Sequence, residues 1–195
     1  VTIPRDLEAY QPDLEIEPAA MDDTAVIALS SGTTGVPKGV MHTHRTLVAS
    51  GRYGVKYMMA DENACGLNVF TTAFIGWYNC TLPFLYGGSK IVYLPEWSPA
   101  KVLATIAAEQ VSVCFLVPTM WRAVLREVND STDLSSLRRI GYAGEMMDRS
   151  TVMRLREEIS PSIINTYGTT ETGSWAGCTV MLPEDYRDLN RLESV

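Results

Sequence analysis

The sequence is poor in metal-binding and disulfide signals. Its 2 histidines and 4 cysteines do not cluster: Cys65, Cys80, Cys114 and Cys178 form no CxxC pair, and no histidine stands near them at metal spacing. A disulfide or zinc scaffold is excluded on this pattern, and reduced, mostly buried thiols in a cytosol fit it. Basic charge is scarce as well. With 16 Lys and Arg against 23 Asp and Glu, and a net charge of -7, no positive stripe is available for a nucleic acid or an anionic lipid surface. Any phosphate must be held locally. The opening VTIPRDLEAYQPDLEIEP is acidic and contains Pro, with no basic start before an apolar stretch, so it does not read as a secretory signal. Long apolar runs are also missing. The uncharged stretch from Ala64 to Ser89 is broken by Asn68, Thr71, Thr72, Asn79, Thr81, Pro83 and glycines, and reads as a buried strand plus helix rather than a membrane span.

What remains is a globular composition. Hydrophobic residues make up 46% and charged residues 20% of 195, which excludes disorder, and a chain of this length buries roughly 70% of its unfolded surface in one core. Short apolar runs alternate with helical patterns of period 3.6. The expected strands are Thr24 to Leu29, Cys65 to Phe70, Lys90 to Leu94, Val111 to Val117, Arg138 to Tyr142 and Ser162 to Thr166. Between them, Ser98 and Pro99 open one helix, and Met120, Val124 and Val128 mark the face of a second. Asp148 is placed to cap a third, whose Val152, Leu155 and Ile159 face inward. Such βα units predict an α/β fold, a mostly parallel sheet flanked by helices.

Two polar strings follow expected strands. The first, SSGTTGVPKG from Ser30 to Gly39, lies between the strand ending at Leu29 and a helical-looking segment beginning near Thr43. Small side chains leave its backbone N–H groups open to an anion, and Lys38 adds positive charge. It differs from the common P-loop, which needs a Gly-Lys-Ser/Thr triplet. The second, TYGTTETG from Thr166 to Gly173, offers a flat ring at Tyr167, hydroxyls at Thr169 and Thr170, and at Glu171 a carboxylate suited to Mg²⁺. Taken singly, the first also reads as a solvated linker and the second as a polar turn. Together, at the carboxyl ends of strands in one parallel sheet, they point to a Mg-nucleotide site.

With these strings the sequence resembles the adenylate-forming superfamily of acyl-CoA synthetases, nonribosomal-peptide adenylation domains and firefly-type luciferases. SSGTTGVPKGV matches the signature loop, INTYGTTETG a second core motif, and GYAGEMM (Gly141 to Met147) the segment walling the adenine and acyl pockets. The match is most like an acyl-CoA synthetase or fatty-acid–CoA ligase and runs from about Asp23 onward. The resemblance implies that Ser30, Ser31, Gly32, Thr33, Thr34, Gly35 and Lys38 grip the β- and γ-phosphates of ATP. It further implies that Ala143, Gly144, Glu145, Tyr167, Gly168 and Thr169 border the nucleotide, that Thr170 reaches the α-phosphate, and that Ser30 and Glu171 serve Mg²⁺. Lys38, Thr170 and Glu171 would be the catalytic groups, and Phe74, Trp77 and Gly141 the acyl pocket.

The implied reaction joins a small carboxylic acid to ATP, giving acyl-AMP and pyrophosphate, and then passes the acyl group to coenzyme A. Loading of a carrier protein, or a non-catalytic nucleotide-binding module, are the alternatives. The family's Phe-His pair is missing from the stretch around Thr72, Ala73 and Gly76, with Phe74, Trp77 and Tyr78 as replacement wall residues or plain core. His42 and His44 form an HxH with no third ligand nearby and are read as helix-start or surface residues. No ribose-binding Asp motif, hinge or C-terminal lysine follows Glu171. The expectation is therefore an N-terminal segment 1–22 and a partial AMP-binding domain 23–195 without lid, inert alone, cytoplasmic, and prone to homo-oligomerise through exposed edges.

Overall fold

The computed structural model describes residues 18–30, 36–160, 162–173, 175–181 and 186–187. Every run read as a strand is one, within two residues of the expected ends. In chain order the elements are β1 (Thr24–Ser30), β2 (Lys38–Thr43), α1 (His44–Met58), β3 (Cys65–Asn68), α2 (Ile75–Gly87), β4 (Lys90–Tyr93) and α3 (Pro99–Glu109). There follow β5 (Val113–Leu116), α4 (Pro118–Glu127), β6 (Arg139–Tyr142), α5 (Arg149–Glu158), β7 (Ile163–Tyr167) and β8 (Gly177–Met181).

Six of the described strands form one sheet in the order β4-β3-β5-β6-β7-β8, parallel throughout except for β8, which runs antiparallel to β7. Alternation along the strands sends side chains to two cores. Cys114, Leu116, Ile140, Tyr142 and Ile163 join residues of α3, α4 and α5, among them Val102, Ile106, Trp121, Val124 and Leu155. Val113, Phe115 and Ile164 face the other way, onto Met58 at the end of α1 and Cys80 and Phe84 of α2. Both faces are therefore covered, which explains why the central strands read as unbroken apolar runs. Helices α1 and α2 pack closely on each other. A Cβ at Gly54 would lie 2.2 Å from Cγ of Pro83, so this contact requires glycine.

One expectation is corrected. The strand before SSGTTGVPKG is not part of the parallel sheet: β1 pairs antiparallel with β2, from Thr24 opposite Thr43 to Ser30 opposite Lys38, as a separate two-stranded unit. The stretch KGVMHT, expected only as the end of the loop and the lead into a helix near Thr43, is a strand whose inward histidine hides the alternation that would mark it. The hairpin is tied to the body where the Leu29 N–H donates to the Ala73 carbonyl at 3.2 Å.

The helix starts follow their capping residues. Thr43 Oγ1 accepts from the Thr46 N–H at 3.3 Å, Ser98 Oγ from the Lys101 N–H at 3.5 Å, and Asp148 Oδ1 from the Thr151 N–H at 2.9 Å. The carbonyls at the C-terminal end of α1 are met from the start of β6: Arg138, just before the strand, donates from Nη2 to the Met59 carbonyl at the cap, and Arg139 from Nη1 to Tyr57 O. Asp148 is the best satisfied cap. The hydroxyls of Ser150 and Thr151, the Thr151 N–H and then Arg122 hold its carboxyl well below the ordinary carboxylate range. Because the folded pKa is lowered, this stabilisation is complete above the unfolded value of about 4 and is lost as the pH falls below it. Asp148→Ala is expected to cost about 1 kcal/mol at neutral pH. In urea unfolding, its gap to wild type should shrink steadily once the pH falls below about 4.

Candidate functional site

A crevice forms where the order of a parallel sheet reverses, because successive connections leave toward opposite faces. Here β3 lies between β4 and β5, with α2 on one face and α3 on the other. A cavity of about 390 Å³ opens at the carboxyl ends of β3, β5, β6 and β7. Its walls are of two kinds. Met58, Phe70, Ile75, Cys80, Phe115, Val117 and Trp175 are apolar, whereas Thr166 and the run Gly168 to Glu171 bring backbone, hydroxyls and one carboxylate. Among the described lining residues Glu171 alone is charged.

Each wall has a cause in the sequence. Asn68, buried at the end of β3, donates from Nδ2 to Trp77 O and Thr81 Oγ1, while its Oδ1 accepts from the Phe70 N–H. That clamp sets the turn bearing Phe70 and the start of α2 with Ile75 and Gly76. Phe115 leans over Gly141, its register partner: a Cβ there would lie 2.3 Å from Phe115 Cδ2 and 2.9 Å from Ile164 Cγ1. From the opposite core Trp121 Nε1 donates to Gly141 O at 2.9 Å and fixes the end of β6.

The loop after β7 is pinned to itself. Thr172 Oγ1 accepts from the Thr169 N–H at 3.0 Å, and the Gly173 N–H donates to Thr170 O at 3.3 Å. The Thr170 hydroxyl takes no part in that network. Glu171 is exposed, and its carboxyl is held below the usual range by its own backbone N–H, by the Thr169 hydroxyl and by the positive charge of Lys38. The charge of Lys38, at the start of β2, is thus the smallest of the influences that favour the Glu171 carboxylate, although 133 positions separate the two in the chain.

Of the residues singled out in the sequence, Ala143, Gly144, Gly168, Thr169, Thr170 and Glu171 line this cavity. Ser30 and Lys38 face each other across the base of the hairpin. Ser31, Gly32, Thr33, Thr34 and Gly35 lie outside the described residues. Tyr167 is 72% exposed, its ring open to solvent. Glu145 is drawn toward α4, accepting from Thr119 Oγ1 at 3.2 Å and lying 3.9 Å from Arg122 Nη1.

The acyl-pocket residues Phe74, Trp77 and Gly141 are not among the lining. Phe74 is exposed, Trp77 stacks on Tyr93 at 5.6 Å between ring centroids, and Gly141 acts only by admitting the Phe115 ring. The apolar part of the lining comes instead from Met58, Phe70, Ile75, Cys80, Phe115, Val117 and Trp175, none of which the sequence motifs single out. For Phe115 and Val117 there was a signal: alternate positions at the carboxyl end of a parallel strand border the crevice. Met58 and Trp175 had none.

These features define a class: an open α/β domain with a ligand crevice at its carboxyl edge. The profile of the family described as AMP-binding enzyme matches residues 3–194, and the chain belongs to that family. It is 34% identical over 193 residues to the 3-hydroxybenzoate–CoA/4-hydroxybenzoate–CoA ligase of Thauera aromatica, a match covering 93% of this chain and 35% of that protein. Gramicidin S synthase 2 of Brevibacillus brevis is 31% identical over 153 residues, covering 76% of this chain and 3% of the synthase. An anthranilate CoA ligase solved in complex with anthranoyl-AMP superposes with a TM-score of 0.78 at 26% identity, covering 87% of this chain and 34% of that one. The chain thus spans about a third of the length of the CoA ligases it matches.

The Phe115–Gly141 contact is directly testable. Gly141→Ala forces the ring off its seat and is expected to cost about 1–3 kcal/mol, the usual range for overpacking. The measurement is the urea midpoint, with Gly88→Ala as a poor control and Gly76→Ala as a good one: a Cβ at Gly76 meets nothing nearer than 3.7 Å, whereas Gly88 sits at φ +71.

Proposed function

We propose that the enzyme containing this chain activates a small carboxylic acid with ATP and transfers the resulting acyl group to the thiol of coenzyme A. The observation that carries the reading is the cavity at the carboxyl ends of the strands, in which apolar walls meet a loop of hydroxyls and a carboxylate. In the first half-reaction a carboxylate oxygen of the acid attacks the α-phosphorus of ATP and the bond to pyrophosphate breaks. In the second, the thiol sulfur attacks the acyl carbon, AMP leaves, and the thiol proton passes to solvent.

The first step brings one anion against another, so the protein's task is placement and neutralisation rather than covalent chemistry. Lys38 would supply a point charge for the terminal phosphates, and Thr170, in the cavity lining, a hydroxyl donor for the α-phosphate. Tyr167 offers an open ring face at the rim for the adenine. No group of three or more His, Cys, Asp or Glu side chains able to hold a metal exists among the described residues. Mg²⁺ fits this arrangement nonetheless, because it is commonly bound through one or two carboxylates plus substrate phosphates. Glu171, exposed and with its carboxyl held below the usual range, would be the carboxylate, and Ser30 would supply a second oxygen. Bound there, the metal would neutralise phosphate charge.

The apolar walls suit an uncharged acyl tail, aromatic or aliphatic. Loading of a carrier protein in place of coenzyme A is the second reading, favoured by the likeness to gramicidin S synthase 2. A cytoplasmic setting agrees with the 4 cysteines, all free, of which Cys80 and Cys114 are buried with their thiols pushed up by desolvation.

In the full-length protein, Glu171→Ala should slow acid-dependent ATP–pyrophosphate exchange by about 10²-fold or more, the usual loss for one group stabilising transition-state charge. Lys38→Ala should be milder, because backbone donors share the phosphates. Exchange at the wild-type rate in Glu171→Ala would overturn the assignment.

A further inference from the structure

Two hollows of the molecule share a wall. The crevice at the carboxyl edge of the sheet is lined in part by Met58, Phe115 and Trp175. A second, outer groove of about 580 Å³ runs along α1, where Val48, Arg52, Tyr53, Lys56 and Tyr57 line it. Successive residues of a helix point about 100° apart. Met58 therefore turns to the crevice, and Tyr57, its neighbour, to the groove. The Trp175 ring, brought in by the β7–β8 connection, stacks on Tyr57 with centroids 6.4 Å apart and planes 21° from parallel. The crevice thus meets one ring of the pair and the groove meets the other.

Packing holds the indole in place. It lies against the backbone of α1, where a Cβ built on Gly54 would stand 3.4 Å from Trp175 Cζ2, and it joins the core of Met58, Cys80 and Phe115. Trp175 Nε1 is buried and has no hydrogen-bond partner among the described residues, so the ring contributes its surface rather than a donor. We infer that Trp175, backed by Tyr57, is the end wall of the acyl cavity and restricts it to compact acids, with a single ring or a short chain. The inference rests on the reading that this cavity holds the acyl group. At about 390 Å³ it is near the small end of ligand pockets, which span about 300–1,000 Å³. Part of that space adjoins Gly168 to Glu171, where the reacting carboxyl belongs, and less is left for the tail. A longer chain has to push the indole off Tyr57, and overpacking of that kind costs more than burial of the added methylenes gains.

The test is a series of straight-chain saturated acids from butyrate to dodecanoate, followed by ATP–pyrophosphate exchange in the full-length protein. In the wild type, kcat/KM should fall about tenfold or more per methylene once the tail reaches the wall. Trp175→Ala should move that limit to longer acids and raise the octanoate-to-butyrate ratio of kcat/KM about tenfold or more. Trp175→Phe, which keeps a ring and drops the N–H, should hold the limit near its wild-type place. Trp175→Leu, which keeps an apolar side chain, should give a smaller shift in the same direction and serves if the Ala variant fails to fold. An unchanged octanoate-to-butyrate ratio in the Ala and Leu variants would overturn the proposal. So would a wild-type protein that uses dodecanoate as well as butyrate, or a loss equal for all acids that tracks a fall in melting temperature.

Calorimetric binding of octanoate without ATP separates the wall from the reaction. Trp175→Ala should bind octanoate about tenfold or more tighter than the wild type does, with the Phe variant close to wild type. Equal octanoate affinity in the wild-type and Ala proteins would remove Trp175 as the end wall and leave the ligase reading standing. Absence of pyrophosphate exchange with every acid would count against the ligase reading, and this titration would still decide whether Trp175 closes the cavity.

Discussion

A parallel sheet buried on both faces leaves the chain few places for polar groups, and the whole arrangement depends on that constraint. Strands β5, β6 and β7 bury alternate side chains in two separate cores. An unpaired hydroxyl or carboxylate in either core would cost a few kcal/mol. Two of the buried polar side chains show the rule: Asn68 is occupied by the turn after β3 and the start of α2, and Ser50 donates to Asn79. Free hydroxyls and the ionised carboxylate collect instead at the carboxyl edge, where the reversal between β3 and β5 opens the sheet. The cavity is a consequence of the connection pattern before it is a consequence of any motif.

The charge balance shows how a polyanion could be accepted there. The chain has a net charge of -7 and its cavity lining includes one carboxylate and no cation among the described residues. At about 4 Å a unit charge pair is worth roughly 1 kcal/mol in water and about 4 kcal/mol near a protein surface, and beyond a Debye length of about 8 Å it is largely screened. A triphosphate could not be drawn in by the protein's overall field. It would have to be neutralised at contact, by Lys38, by backbone donors and by a cation it brings with it.

Much of this architecture was legible in the sequence because it is local. The strands VCFL and IINTY are short apolar runs, and Ser98 and Asp148 cap helices as their spacing predicts. The two polar strings announced themselves through the absence of bulky side chains. What escaped was what depends on a partner strand. KGVMHT reads as the tail of a loop until β1 lies beside it, and GCTVM, at the sheet edge beyond β7, shows a half-exposed pattern too weak to mark it. The apolar walls escaped for the same reason: Met58, Phe70, Phe115 and Trp175 come from four separate segments, and nothing short of the fold brings them together.

The distribution of the walls also bears on which acids such a cavity could distinguish. Apolar surfaces discriminate by volume, at about 1–3 kcal/mol per methylene, or roughly 10- to 200-fold. A charged tail is rejected more strongly, since no cation among the lining residues could pair with it. Within the apolar set, the Phe115 ring is adjustable only as far as Gly141 allows, because the missing Cβ is what gives the ring its seat. The shape of the cavity is thus set partly by a residue that does not line it, through the position of one that does.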